Sequence, residues 1–191
     1  MKSDKIEIVV AAARTLFSRF GYNKTTVDDI ARESFVAKST VYNYFNSKEE
    51  IFDAVIEKEG GILFHEINKA IEDISDPYEM LRVYAKTRML HVKQLRNLYY
   101  VLTDDYLMHH SFIDKARNKS LEREIKVIAG ILKQGVDGGF FKVKDLNLTS
   151  FLIITAWKGL DIPWTVDVEL PDPYESVDYI IEMLFNGIRE R

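Results

Sequence analysis

Residues 38–48 carry a set of polar and aromatic side chains that suits contact with nucleic acid. Hydroxyl, amide and ammonium groups hydrogen-bond to phosphates and to the edges of bases. The residues that supply these groups and the aromatic rings are Lys38, Ser39, Thr40, Tyr42, Asn43, Tyr44 and Lys48. Because the same residue types also cover ordinary solvated helices, the interpretation depends on the elements that position them.

Two short helices, a tight turn and the start of a third helix are predicted over residues 25–50. Thr26 is a favourable N-cap, and Asp29 three residues later completes a capping box. A second helix is expected over about 38–44, after a turn at 34–36. Two helices joined by about three or four residues have the helix-turn-helix spacing, in which the second helix enters the DNA major groove.

A long third helix is predicted to follow directly. Ser47 and Glu50 form an S-x-x-E capping box at its start, and an apolar stripe continues towards Ile74. Gly60 and Gly61 interrupt this helix, and each costs about 1 kcal/mol relative to Ala. The pair marks either a kink or close helix packing, or a flexing point between the N-terminal region and the rest of the chain.

The stretch TTVDDIARESFVAKSTVYNYFNSKEE resembles the DNA-binding signature of TetR-type transcriptional regulators. The family pattern is roughly T-x-x-x-I-A-x-x-A-G-V-S-x-G-T-L-Y-x-Y-F-x-S-K-E-x-L, and the resemblance covers residues 5–55. Phe35 stands where the family usually has Gly, Ala37 where it has Ser, and Ser39 where it has Gly. A bulky residue at positive φ is an outlier, so either the turn differs or Phe35 is strained. Ala37 removes a capping oxygen worth about 1 kcal/mol.

Helix geometry brings four side chains to the exposed start of the second helix, where side chains reach base edges. They are Lys38, Ser39, Thr40 and Asn43. Lys48 lies at a helix N-terminus, which already attracts anions, so it is expected to contact phosphate. Val41 and Phe45 are predicted to be core.

The resemblance implies further contacts to the DNA backbone. Thr40, Tyr42 and Tyr44 would contact phosphate or sugar, and Thr25 with Thr26 would form a second phosphate clamp. Plain packing in the core is the alternative for the two tyrosines.

The charge of the chain is divided between its two ends. The net charge is −4, yet residues 1–48 hold eight Lys or Arg and five Asp or Glu residues, a net +3. The remaining residues therefore carry −7. A basic headpiece on an acidic body is expected where only one end meets phosphate. Chance unevenness is the simpler alternative.

The predicted fold class is all-α. With 47% hydrophobic and 29% charged residues, the chain has a globular composition, and no stretch alternates with a clean period of two. An amphipathic helix over 4–20 packs behind the helix-turn-helix at about 27–44, which makes residues 1–48 a three-helix DNA-binding domain. Residues 49–191 form a larger helical domain, expected to bind ligand and to dimerise.

An effector site is expected in this larger domain, since the resemblance implies an inducer or a corepressor. A small hydrophobic or aromatic effector would lie in a helix-enclosed pocket with a few polar groups. The candidate lining residues are Tyr84, Arg88, His91, Tyr99, Tyr100, Tyr106 and Trp157, and Trp164 lies in a further segment expected to surround the pocket. Core or dimer packing is the alternative for each of them.

Several classes of site are disfavoured. The chain has no cysteine, which excludes disulfides and thiolate metal sites. Asp105 and His109 are spaced to share a metal but lack a third ligand, so neither a metal nor another cofactor is expected. No secretory h-region and no membrane-length apolar window occur. Together with the resemblance, this predicts a prokaryotic, DNA-associated cytoplasmic protein without a membrane partner.

The resemblance implies a homodimer formed through the last two helices. A two-fold dimer places two recognition helices roughly 34–36 Å apart, which fits a near-palindromic operator. The expected function is a ligand-responsive transcriptional regulator, most often a repressor in this family. A constitutive dimeric DNA-binding protein without a ligand is one alternative. A helical enzyme is the other, although no constellation of nucleophile, paired carboxylates or metal ligands supports it.

Overall fold

The structure is a computed structural model that describes residues 2–103, 111–158 and 172–188. These residues form helices and no β-strand, so the all-α prediction is confirmed. In chain order the helices are α1 (Lys2–Phe20), α2 (Val27–Glu33), α3 (Lys38–Tyr42), α4 (Lys48–Ile71), α5 (Pro77–Gln94), α6 (Arg96–Thr103), α7 (Ser111–Asp137), α8 (Leu146–Lys158) and α9 (Pro173–Ile188). Within the described ranges, no helix is long and apolar enough to cross a membrane.

The chain divides into two compact units. Unit 1 comprises Met1–Ile62 with Gln94–Ala116, and unit 2 comprises Leu63–Lys93 with Arg117–Arg191. The division crosses α4 between Ile62 and Leu63, one residue after the Gly60–Gly61 pair, and crosses α7 near its start. The domain boundary expected at residue 48, where α4 begins, stays a prediction.

Helix α1 buries the middle of its apolar stripe and ends at a glycine, whereas Phe20 at the end of the stripe is 49% exposed. Val9, Ala13 and Phe17 are at most 1% exposed. Gly21 has φ +81°, and its N–H donates to the carbonyl of Phe17 at 2.9 Å. A glycine adopts this left-handed conformation without a Cβ penalty, so it is the natural residue to close the helix.

Helix α2 has the predicted capping box at one end and an unusual residue at the other. Thr26 caps Asp29 N–H, and the Asp29 side chain accepts from Thr26 N–H. At the other end, Phe35 has φ +54°, and Val36 N–H donates to the carbonyl of Ala31 at 3.1 Å. This bond closes a helix through a left-handed residue, normally glycine. The turn therefore keeps its usual geometry, and Phe35 is the strained residue.

Helix α3 is shorter than predicted and has a weak start. It spans Lys38–Tyr42 rather than reaching residue 44, because Asn43 and Tyr44 donate to carbonyls three residues back and the turn tightens. Its N-cap is Ala37, which makes no side-chain capping bond. The loss of a capping oxygen expected from the sequence is confirmed.

Four aromatic rings form the centre of unit 1. Phe17 of α1, Phe52 of α4, Phe112 of α7 and Tyr22 of the loop after α1 have ring centroids 5.0 to 6.0 Å apart. Edge-to-face pairs at such distances stabilise beyond simple area burial. The Tyr22 hydroxyl donates to Glu49 at 2.9 Å. Burial, reinforced by that carboxylate, raises the pKa of Tyr22.

In unit 2, apolar side chains fill the interior between the helices, and an ion-paired group of side chains joins α5 to α9. Leu132 of α7, Ile153 of α8 and Ile181 of α9 are at most 1% exposed. Asp178 accepts from Arg82 Nε at 2.8 Å and from Lys86 Nζ at 2.7 Å. Both cations lower the pKa of Asp178, the Arg82 hydrogen bond most.

Candidate nucleic-acid interface and effector site

Helix α3 presents polar side chains to solvent on one side and packs into unit 1 on the other. Val41 is fully buried and Phe45 is 8% exposed, as predicted for core residues. The side chains of Lys38, Ser39 and Asn43 are exposed. The exposed set continues with Tyr42, which is 47% exposed, while Thr40 and Tyr44 are half-buried. The residues expected to read bases therefore share an accessible surface.

Lys38 is already ion-paired within the headpiece. Its Nζ lies 2.7 Å from Asp28 Oδ1 of α2, and this bond raises the pKa of Lys38. Both side chains are about half exposed, so water screens the pair and its net contribution is small. A phosphate or a base edge would compete with Asp28 for this ammonium group.

The two threonines before α2 use their hydroxyls within the fold. Thr25 is 2% exposed, and its hydroxyl donates to the carbonyl of Gly21 at 2.9 Å. The hydroxyl of Thr26 donates to Asp29 at 2.6 Å and accepts from Asp29 N–H at 3.2 Å. Thr26 is exposed, whereas Thr25 holds the loop after α1 in place.

Lys48 makes internal contacts that the sequence did not indicate. Its Nζ donates to the carbonyls of Tyr22 at 2.9 Å and Thr25 at 3.1 Å. The same atom lies 4.2 Å from the centroid of the Tyr22 ring, a favourable cation–π distance. Burial lowers the pKa of Lys48. Lys48 thus fastens the loop after α1 to the first turn of α4, and its contact with phosphate stays a prediction.

A buried carboxylate connects three helices of unit 1. Glu59 of α4 is 1% exposed and accepts from Arg14 Nε of α1 at 2.8 Å. It also accepts from Asn97 Nδ2 and from Leu98 N–H of α6, each at 2.8 Å. Asn97 donates in addition to the carbonyl of Arg14 at 3.1 Å. This network was not predicted from the sequence. The available signal was the position of Glu59, three residues after Ile56, which places a charged residue on the apolar side of α4.

Three of the candidate effector residues come together inside unit 2. Tyr84 is fully buried, Arg88 is 1% exposed and Trp157 is 3% exposed. The Tyr84 and Trp157 rings stack with centroids 5.7 Å apart at 26°. Arg88 Nε donates to Glu124 of α7, a residue that sequence reasoning did not select.

The other candidates do not join this cluster. His91 is half-buried in the last turn of α5. Tyr99 and Tyr100 lie on α6 in unit 1 with their rings 6.2 Å apart. Tyr106 and Trp164 lie outside the described residues, as does the Asp105–His109 pair. Among the residues that the structure describes, no group of three or more His, Cys, Asp or Glu side chains is arranged to hold a metal.

The sequence profile described as "Bacterial regulatory proteins, tetR family" matches residues 9–55. This range contains α2, α3, the turn between them and the start of α4, so it coincides with the candidate DNA interface. Over these residues the chain is similar to the DNA-binding segment of the tetR family. The matched segment holds the helix-turn-helix, and the relatives that match the chain over nearly its whole length are described as regulators.

Three similar proteins match the chain along nearly its whole length. The fatty acid metabolism regulator protein of Bacillus subtilis (strain 168) is 22% identical over 191 residues, covering 100% of this chain and 98% of its own. A solved structure assigned to the TetR family from Syntrophomonas wolfei gives a TM-score of 0.80 at 21% identity, covering 98% and 97% of the two chains. The Bacillus subtilis regulator FadR in complex with stearoyl-CoA gives 0.76 at 22% identity, covering 96% and 99%. At these identities the two structures show a shared fold.

Within the tetR-family pattern, the three departures have different structural outcomes. Phe35 takes the left-handed conformation of the usual Gly and is 97% exposed. Ala37 leaves α3 without a side-chain cap. Ser39 is exposed on α3, so it adds a hydroxyl to the surface that would face DNA. Two departures therefore affect stability, and the third affects the interface.

Proposed function

We propose that this protein is a ligand-responsive transcriptional repressor that acts in the cytoplasm and binds a near-palindromic operator as a homodimer. The polar, exposed side of α3, backed by the buried Val41, carries the proposal. A helix held in this way reads the major groove through its outward side chains.

The proposed DNA contacts follow the accessibility of the side chains. Residues proposed to read bases are Lys38, Ser39, Thr40 and Asn43. Residues proposed to contact phosphate or sugar are Thr25, Thr26, Tyr42, Tyr44 and Lys48. Thr25 and Lys48 would act chiefly by holding the loop after α1, because their polar groups already bind carbonyls there.

The apolar surface of α8 and α9 supports the homodimer. Six large apolar side chains on these two helices are between 41% and 64% exposed. They are Leu148, Phe151, Leu152, Tyr174, Tyr179 and Met183. Apolar side chains at this density suit an interface between two copies of the chain, and a two-fold axis would set two α3 helices roughly one turn of DNA apart.

The proposed effector is a small hydrophobic molecule with an acyl chain. Two relatives support this class: a fatty acid metabolism regulator, and a regulator solved with stearoyl-CoA. Effector bound in the larger domain would favour a headpiece spacing that does not fit adjacent half-sites. A coupling of about 1–3 kcal/mol would change operator affinity about 5–150-fold.

Selection of bound duplexes from a random DNA pool, at two salt concentrations, tests the proposal. We expect one near-palindromic sequence, and weaker binding at the higher salt as counterion release requires. Asn43→Ala should relax the selected sequence, whereas Asn68→Ala, on an exposed position of α4, should leave it unchanged. Weak, sequence-independent binding would contradict a sequence-reading dimer. The constitutive alternative predicts that no acyl compound alters binding to the selected operator.

A further inference from the structure

An ion pair joins the two helices of the helix-turn-helix at their N-terminal ends. Lys38, the first residue of α3, places its Nζ 2.7 Å from Oδ1 of Asp28, the second residue of α2. Among the described residues, Asp28 is the only acid within ion-pair distance of this ammonium group. Lys38 is one of the side chains proposed to read bases, so its charge is balanced in the free protein by a carboxylate of the neighbouring helix.

The helix-turn-helix itself carries little positive charge with which to attract phosphate. Residues 27–44 hold three acids and two bases, a net charge of −1. These five residues are Asp28, Asp29, Glu33, Arg32 and Lys38. Both bases are ion-paired to acids of α2, since Arg32 lies 3.6 Å from Asp29. A segment of this charge gains little from phosphates alone, so the placement of its two cations decides what they contribute to binding.

The two neighbouring aspartates of α2 have different roles. The Asp29 N–H donates to the Thr26 hydroxyl, and the Asp29 carboxylate accepts from the Thr26 N–H, which completes the capping box. Asp28 takes no part in this box, and its side chain is 56% exposed. An exposed ion pair contributes little to stability, because water screens it. The main consequence of the Asp28 carboxylate is therefore for Lys38.

The ion pair restricts Lys38 without blocking it. A lysine side chain has a flexible four-carbon stem, and its ammonium group has three donor hydrogens. The hydrogen bond to Asp28, and then the charge of that carboxylate, raise the pKa of Lys38, so the group stays protonated. Because the Lys38 side chain is 52% exposed, its ammonium group can donate to Asp28 and to an acceptor on DNA together. N7 and O6 of guanine are the major-groove acceptors that suit a lysine.

We propose that Asp28 is a positioning residue that determines the sequence specificity of Lys38. On the operator, Asp28 holds the ammonium group where it donates to a base edge. On other sequences, the same carboxylate keeps Lys38 from turning to a phosphate. Asp28 thus weakens binding to arbitrary DNA more than binding to the operator. This inference rests on the proposed function, because it takes α3 as the helix that reads bases.

Asp28→Asn tests this role, since it removes the charge and keeps the shape of the side chain. Binding of the full-length protein is measured by fluorescence anisotropy, over a series of salt concentrations, on two duplexes of equal length. One duplex carries the selected near-palindrome, and the other carries the same bases in scrambled order. The affinity for the scrambled duplex should rise about fivefold for each bound subunit, and the ratio of the two affinities should fall accordingly. The salt slope on the scrambled duplex should steepen by about one unit for each bound subunit, because a lysine that reaches a phosphate releases about one counterion.

Glu33→Gln is the matched control. It removes one negative charge from the same helix, yet Glu33 is exposed and forms no ion pair within the part of the chain that the structure describes. Its affinity ratio and salt slope should change far less than those of Asp28→Asn. Equal changes in the two variants would mean that the charge of α2 acts at long range, which overturns the positioning role. Circular dichroism should show native helix content in both variants, because the Thr26–Asp29 capping box is intact.

A double variant shows whether Asp28 acts through Lys38. In a Lys38→Met background, Asp28→Asn should no longer steepen the salt slope, because no ammonium group is left to turn to a phosphate. A salt slope that still steepens would mean that the Asp28 carboxylate repels phosphate directly, and the positioning role would be wrong.

The same measurements separate this inference from the proposed function. If the unaltered protein prefers the selected duplex, and Asp28→Asn keeps both that preference and the salt slope, sequence reading stands and the role of Asp28 falls. The ion pair is then an ordinary surface pair. If the unaltered protein binds both duplexes alike while Asp28→Asn still steepens the salt slope, sequence reading falls and the restraint of Lys38 by Asp28 stands.

Discussion

Among the residues that the structure describes, unit 1 and unit 2 each bury one glutamate, and the two glutamates have different hydrogen-bond complements. Glu59 accepts from Arg14, Asn97 and Leu98, so both of its oxygens are used. Glu124 accepts one hydrogen bond, from Arg88, and its other oxygen has none among the described residues. Burial is nearly the same for both, at 1% exposure.

The difference teaches that two carboxylates buried to the same extent can have very different hydrogen-bond complements. A carboxylate with every oxygen engaged fixes the helices around it and has no capacity for a ligand. A buried carboxylate with one oxygen that lacks a hydrogen-bond partner among the described residues can still accept another donor. The completeness of the hydrogen bonds, rather than the residue type, therefore distinguishes the two regions.

The largest effect is expected at Glu124. Glu124→Leu should lower the free energy of unfolding by about 3–5 kcal/mol, because it leaves the Arg88 guanidinium buried without its carboxylate. Adding Arg88→Met should recover most of this loss, since apolar residues replace buried ion pairs at little or no cost. Urea unfolding followed by circular dichroism measures both. Failure of the second change to recover stability would show that Glu124 has a structural role like that of Glu59.

A smaller loss of stability is expected for a substitution of Glu59, and a second substitution at Arg14 should not reverse it. Glu59→Leu should cost about 2–4 kcal/mol, because Asn97 and the Leu98 N–H lose their acceptor. Adding Arg14→Met cannot restore that acceptor, so the double variant should stay equally unstable. Glu7→Leu, exposed on α1, is the control and should change stability by less than about 0.5 kcal/mol in the same urea experiment. Recovery in the double variant would remove the contrast between the two glutamates.

The smallest effect is expected at the strained turn of unit 1. Phe35→Gly should raise the free energy of unfolding by about 1 kcal/mol, because a residue without Cβ relieves the left-handed strain. Little packing is lost, since the ring is 97% exposed. Phe35→Ala is the matched control, because it removes the ring but keeps Cβ, and it should leave the urea midpoint nearly unchanged. Equal midpoints for the two variants would mean that the backbone at this turn is not strained.

Local features of the fold were readable from the sequence because near neighbours determine them. The Thr26–Asp29 capping box and the glycine that ends α1 depend on residues within one turn. The capping box at Ser47 and Glu50, where the sequence predicts a long third helix, likewise lies at the start of α4. The helix-turn-helix followed from the same short-range signals, and so did the burial of Val41.

Contacts between distant parts of the chain were not readable. Glu59 meets Arg14 across 45 positions and Asn97 across 38, and no local pattern specifies such a pairing. The hydrogen bonds of the Lys48 ammonium group to the carbonyls of Tyr22 and Thr25 span 26 and 23 positions, so the sequence did not indicate them either. The aromatic residues of the larger domain looked alike in sequence, and only packing separates Tyr84 from those on α6.

Unit 1 is discontinuous along the chain, and this affects how its DNA-binding part can be separated or exchanged. A fragment that stops at residue 62 keeps α2 and α3 but loses Asn97 and Leu98, which donate to Glu59. In a chimaera that exchanges only the N-terminal segment with a relative, Glu59 would likewise pack against the α6 of a different protein. Exchange of the DNA-binding part therefore requires the headpiece together with α6. These two elements are encoded by separate segments of the gene, which must be transferred together.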